Sequence, residues 1–166
     1  DYNVRIRKPG GFRMPLPPTE RRWNTPTGKA MFSVYGGVAE DPEVFSDGVL
    51  RLVTLRSHDQ YNTTIYALDD RYRGVFGRRD VVFMNEADLA ANGIEHGDLI
   101  DLETALPGRE RRLEKFTAVA YDIAPGSIAA YYPEANVLVP LDFIDPESGT
   151  PSYKSTPVRV ARSKSL

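Results

Sequence analysis

Between Arg56 and Thr64 the chain sets out a guanidinium (Arg56), hydroxyls (Ser57, Thr63, Thr64), an imidazole (His58) and two amides (Gln60, Asn62). A turn needs one or two polar side chains to fix its backbone geometry. This loop carries many more, with differing donor and acceptor patterns, as a site for a large polar ligand would. A surface loop bonded to itself is the alternative. Redox chemistry is not encoded beside it. The chain has no cysteine, so it cannot hold an iron–sulfur cluster in the usual way. Its two histidines, His58 and His96, lack metal-ligand spacing. No catalytic group and no metal ligand is expected within the chain.

The elements that position this loop are short strands. Residues 49–55 form an apolar run that predicts a strand buried almost throughout, and residues 81–84 predict a second. Asn85 is a good helix N-cap, with Asp88 placed as a capping-box acceptor, and Gly93 after Asn92 suits a helix end. A helix is therefore predicted over 86–92. Further strands are predicted at 99–104, 114–121, 127–131 and 158–160, with 137–141 short and buried. Pro107-Gly108 and His96-Gly97-Asp98 read as turns. Many short strands with regular turns and one short helix predict a mainly β fold closed as a barrel.

The 166 residues suit one domain, preceded by an arm. Residues 1–24 are rich in proline and arginine, which predicts an extended segment with little regular structure, or a disordered end. Residues 31–35 read as a short strand. With 21 basic and 23 acidic residues, net charge is −2, which argues against a nonspecific nucleic-acid binder. No apolar stretch is long enough for a membrane span. There is no basic-then-apolar leader at the start, so the cytoplasm is the expected compartment. The chain opens on Asp1 rather than Met, as a fragment or processed product would.

The segment Leu52-Val53-Thr54-Leu55-Arg56-Ser57-His58-Asp59-Gln60-Tyr61-Asn62-Thr63-Thr64 resembles the opening motif of the C-terminal cofactor-binding domain of molybdopterin oxidoreductases, the formate dehydrogenase and periplasmic nitrate reductase type. Asn85-Glu86-Ala87-Asp88-Leu89 through Gly93-Ile94 and His96-Gly97-Asp98-Leu99-Ile100-Asp101-Leu102 resembles a second block of that family. Pro125-Gly126-Ser127-Ile128 is similar to its next turn and strand. Asn136, with Asp145-Pro146-Glu147-Ser148-Gly149-Thr150-Pro151-Ser152-Tyr153-Lys154, resembles its closing motif. Thr25-Pro26-Thr27-Gly28-Lys29 resembles the lead-in to the domain, which is thereby placed at 25–166. The order of the blocks carries the likeness. The chain departs from it at Glu86, where the family often has proline, and at Ala129-Ala130-Tyr131-Tyr132, where the nitrate reductases have a Pro-Phe-Phe-like run. The polar loop is most similar to a formate-dehydrogenase-like subgroup.

The resemblance implies a double-psi β-barrel of the aspartate-decarboxylase-like kind with short helices. It also implies a molybdopterin guanine dinucleotide ligand, present in an intact enzyme as a bis-dinucleotide carrying molybdenum or tungsten. The implied contacts are Thr54, Arg56, Ser57, His58, Gln60, Tyr61, Asn62, Thr63, Asn136, Tyr153 and Lys154. Arg56 can fork onto phosphate. Ser57 can donate to it. Gln60 and Asn62 can read guanine or pterin edges. His58 faces the pterin or is a solvated loop residue, and Tyr153 stacks on a heterocycle or packs into the barrel. Lys154 meets a phosphate or a ring carbonyl. The basic cluster Arg71, Arg73, Arg78 and Arg79 is a solvated loop or a contact for another domain. Implied partners are upstream domains of the same polypeptide and, for the intact enzyme, a small-molecule substrate. The isolated domain would retain no cofactor and turn nothing over. Two rivals remain at this point: a double-psi barrel serving as a protein-binding module, and a self-processing pyruvoyl decarboxylase cleaved at Gly126-Ser127.

Overall fold

A computed structural model describes residues 1–34, 48–146 and 148–164. The chain divides into two units, residues 1–40 and 41–166. Within the first, Tyr2–Arg5 forms one helical turn (α1) and Pro17–Glu20 a 3-10 turn. The extended segment expected over residues 1–24 thus carries two short turns. Pro17 and Pro18 open the 3-10 turn, where their missing N–H groups cost nothing. Residues 31–34 are not a strand: Phe32 and Val34 are almost wholly exposed, and no strand pairs with them among the described residues. Tyr35, the end of that predicted strand, lies outside the described residues, as does Glu147 of the closing motif.

In the second unit, β1 (Leu50–Leu55), β2 (Val81–Met84), β3 (Leu99–Thr104), β4 (Arg112–Ala120), β5 (Ser127–Tyr131) and β6 (Thr156–Arg162) close into a barrel. The order around the ring is β1-β5-β2-β4-β3-β6. β1 runs parallel to β5, and β2 runs parallel to β4; the remaining neighbours are antiparallel. Parallel neighbours need long crossovers, and these two interlocked crossovers make the fold a double-psi barrel.

Two apolar clusters hold it. Leu50, Leu52, Val82, Met84, Ile100, Leu102, Phe116, Ala118, Ile128, Ala130 and Val158 fill the barrel with Leu89, Ile94 and Leu138. Val75, Val81, Phe83, Ala129 and Tyr131 form a second cluster. Alternate residues of β2 and β5 thus serve different cores, since successive strand side chains point to opposite faces. That is why all of β2 is buried. On β1, Leu55 packs against this second cluster but stays half-buried, as do Arg51 and Val53, short of the near-complete burial the sequence predicts.

Glu86–Ala91 is helical (α2), and the Asn85 side chain accepts from the Ala87 N–H at 2.9 Å. Asp88 is not the capping-box partner; its Oδ2 accepts from the Gly126 N–H at 2.8 Å. The helix thereby fixes the turn that launches β5. Gly93 takes φ +64°, as a helix end requires. Residues 137–141 are not a strand either. Glu134–Leu138 is a 3-10 helix that buries Ala135 and Leu138 and leaves Leu141 exposed. The ring is already closed by β6 on β1, and a further strand finds no edge to join.

Candidate functional site

β1 and β5 are parallel and in register, with Leu55 opposite Tyr131. The segments that follow both strands therefore leave the barrel at the same end. The closing segment arrives there too: the Thr54 N–H donates to the Tyr153 carbonyl at 3.0 Å, and the Lys154 ammonium donates to the Thr54 carbonyl. Residues distant in sequence so converge on one cavity of about 520 Å³. It is lined by Thr54, Arg56, Asn62, Thr63, Tyr132, Asn136, Tyr153 and Lys154.

Its electrostatics are one-sided. Arg56 and Lys154 bring two cations, and none of the lining residues carries a carboxylate. Arg56 Nε donates to the Tyr132 hydroxyl and its Nη2 to Asn62 Oδ1, both at 2.5 Å. These take two of the five N–H groups a guanidinium offers. Lys154 as a whole is exposed, but its ammonium sits against the protein, and this burial holds its pKa below the ordinary lysine value. The Tyr132 side chain opposes that shift and the like charge of Arg56 reinforces it. Asn62 adopts φ +50° and Asp59 φ +61°, in the left-handed region that only glycine enters freely. A loop bent in this way needs outside support.

That support comes from buried polar groups beside the cavity. Gln60 Nε2 donates to the Asn62 carbonyl at 2.8 Å and to the Tyr132 carbonyl at 2.7 Å. Its Oε1 accepts from the Ser57 N–H at 2.9 Å and from Arg79 at 3.0 Å. Ser57 Oγ accepts from Arg79 at 2.6 Å. Farther along the same segment, Asp70 is buried and accepts from Arg73 at 2.6 Å and from the Tyr131 hydroxyl at 2.8 Å. Burial alone would raise the Asp70 pKa, but the bonds from Arg73 and Tyr131 outweigh it and hold the carboxyl below its ordinary value. Burial and the Asp70 bond push the Tyr131 hydroxyl well above its ordinary range.

Of the residues expected from sequence, Thr54, Arg56, Asn62, Thr63, Asn136, Tyr153 and Lys154 line the cavity. Gln60, expected to read a heterocycle edge, is instead buried with both amide atoms bonded inside the protein. Ser57, expected to donate to phosphate, is buried against Arg79 and Gln60. His58 lies outside the lining; its Nε2 is 2.5 Å from Arg71 and its ring meets Tyr72 edge-on. Tyr61 is mostly exposed and its backbone bridges to Ile65. Tyr132 lines the cavity and was not anticipated. A tyrosine directly after a strand is the signal in the sequence, but its partnership with Arg56 rests on a pairing that sequence does not display. The basic cluster is internally matched: Arg73 to Asp70, Arg78 to Asp80, Arg79 to Glu134, Arg71 to His58. Gly126-Ser127 sits at the start of β5, away from the cavity end, in a turn where Gly126 takes φ +79°. Among the described residues no cluster of His, Cys, Asp or Glu is arranged to hold a metal ion, and no helix is long and apolar enough to cross a membrane.

A double-psi barrel with a cationic cavity at one mouth defines a class of domain whose open end suits an anionic ligand. Residues 50–157 match the family model described as the molydopterin dinucleotide binding domain, and the chain belongs to that family. It is 47% identical over 163 residues to "Protein YdeP" of Escherichia coli, an alignment covering 96% of this chain and 22% of that protein. It is 49% identical over 168 residues to "Uncharacterized oxidoreductase Rv2900c" of Mycobacterium tuberculosis, covering 96% and 21%. To the periplasmic nitrate reductase of Desulfovibrio desulfuricans it is 30% identical over 131 residues, covering 76% and 16%. The chain thus spans about a fifth of the length of the first two relatives.

Proposed function

We propose that the cavity binds the phosphate-bearing part of a molybdopterin guanine dinucleotide. On this reading the chain is the C-terminal domain of a molybdenum- or tungsten-dependent oxidoreductase. The observation that carries the proposal is the pairing of Arg56 and Lys154 in one cavity with no carboxylate among its lining residues. The donor set suits the ligand. A guanidinium with N–H groups to spare matches phosphate oxygens in pairs, an ammonium adds a point charge, the Asn136 amide offers a donor and an acceptor, and the Asn62 amide, its oxygen engaged by Arg56, offers its donor. Bound with its metal, the dinucleotide supplies the redox centre. This chain's residues bind and orient it. Arg56, held by Tyr132 and Asn62, meets the phosphates in a fixed direction. Lys154, whose charged form burial disfavours, gains from an anion brought beside it.

The other domains of a longer polypeptide are the proposed partner. The exposed apolar side chains of the 61–76 segment, among them Ile65, Leu68, Tyr72 and Phe76, support this, as does the greater length of the relatives. The resemblance of the loop supports a formate-dehydrogenase-like activity as the reading for the whole protein. Formate-dependent dye reduction and metal content of the long protein test that part.

Guanosine diphosphate is the probe for the cavity. Calorimetric titration of the chain should show one site, and Arg56→Ala and Lys154→Ala should each weaken it by about 1.5–3 kcal/mol, roughly ten- to more than a hundredfold. Arg56→Lys should recover only part of the loss, because an ammonium cannot reproduce the fork. The control Lys164→Ala should bind as wild type. Equal affinity in all four variants would remove the cavity from the reading.

A further inference from the structure

Arg79 precedes β2, is 4% exposed, and takes no part in lining the cavity. Its Nε donates to Glu134 Oε1 at 2.6 Å, its Nη1 to Ser57 Oγ at 2.6 Å, and its Nη2 to Gln60 Oε1 at 3.0 Å and the Tyr132 carbonyl at 2.9 Å. The guanidinium carbon lies 4.3 Å from the Tyr66 ring centre and 4.8 Å from that of Tyr131. A buried charge is tolerated only when it is paired and its hydrogen-bonding groups are satisfied, and this one is met on every side.

What Arg79 touches tells its role. Gln60, which it fixes, donates onward to the carbonyls of Asn62 and Tyr132. The side chains of Asn62 and Tyr132 are in turn the two acceptors that aim Arg56. Asn62 is also the residue whose positive φ needs holding. We propose that Arg79 is a positioning residue: through Ser57, Gln60 and Tyr132 it keeps the 57–62 loop in a ligand-ready form and pre-aims Arg56, without touching the ligand. Pre-organisation of this kind raises affinity by removing the cost of ordering the loop at the moment of binding. The inference rests on the reading that the cavity takes a phosphate-bearing ligand.

Two variants and two readouts test it. Arg79→Lys keeps a charge opposite Glu134, but an ammonium cannot span Ser57, Gln60 and Tyr132 together. Gln60→Leu leaves the Arg79–Glu134 pair in place and cuts the relay alone, so it serves even where Arg79→Lys fails to fold. In hydrogen exchange, the Ser57 and Gln60 amides should lose protection in both variants, while the Val82 and Phe83 amides of β2 keep theirs. Guanosine diphosphate affinity should fall by about tenfold or more. A uniform loss of protection across the barrel, or an unchanged affinity with a loosened loop, would overturn the proposal, as would wild-type behaviour of both variants. Failure of the wild-type chain to bind the probe would count against the functional reading instead. The exchange measurement would then still decide whether Arg79 holds the loop.

Discussion

Arg56 and Arg79 bracket the same crossover segment and share a side chain, yet they sit in opposite circumstances. Arg56 is exposed, bonded to two neutral acceptors, and faces a cavity without a carboxylate in its lining. Arg79 is buried, paired with Glu134, and bonded to three further groups. The first has its charge uncompensated and donors to spare; the second has neither. On the proposed reading, the cation that meets the ligand is marked by what it leaves unmatched, and the cation that positions it by how completely it is matched.

The largest effect that could break this contrast is on stability. Arg79→Ala leaves Glu134 and Gln60 without their buried partner and should cost about 3–5 kcal/mol, whereas Arg56→Ala should cost less than about 1 kcal/mol. Urea denaturation measures both, and similar midpoints would erase the distinction. Tyr131→Phe removes one of the bonds on buried Asp70 and should cost about 1–3 kcal/mol, without changing nucleotide affinity.

Acid sharpens the comparison further. The folded-state pKa of Asp70 lies below its ordinary value of 3.8, so its contribution is present above that value and lost as pH falls through the depressed one. Wild type should therefore lose stability on acidification below that ordinary value, and Asp70→Asn should lose less; parallel curves would exclude the linkage. Lys154 behaves in the reverse sense toward ligand. Its pKa is depressed in the free chain, and a bound anion favours the charged form, so affinity for the diphosphate should fall as pH rises through the depressed lysine pKa. Lys154→Ala should flatten that dependence. A smaller stability effect than that of Tyr131→Phe is expected of Asn85→Ala, at about 0.5–2 kcal/mol, with the cavity unaffected.

How far sequence carried the description depends on whether a property is local. β2, β3 and β5 stand out as apolar runs ended by turn residues, and Asn85 is legible as a cap because its partner, Ala87, is two residues away. The run 137–141 misleads because its residue types suit a strand, while strand formation depends on a free neighbouring edge. The same divide runs through the site. Arg56 and Lys154 are visible as chemistry within motifs. Gln60 looked equally eligible, since a sequence shows what a side chain can bond and not which neighbour has already claimed it. Tyr132 is no site candidate in the sequence, and Arg79 reads there only as a member of a solvated or domain-facing basic cluster, because their partners lie up to 76 residues away.

The order of strands in the ring also sets a timetable for synthesis. Among the described residues β1 pairs with β5 and β6, both of which lie late in the chain. The middle strands β2, β3 and β4 can find one another first, but Leu50–Leu55 waits until Ser127–Tyr131 and Thr156–Arg162 have been made. At about 5–20 residues per second, that wait is on the order of ten seconds, with Leu50, Leu52 and the start of the polar loop unpaired throughout. A nascent chain at this stage would expose an apolar strand and the polar loop that follows it together.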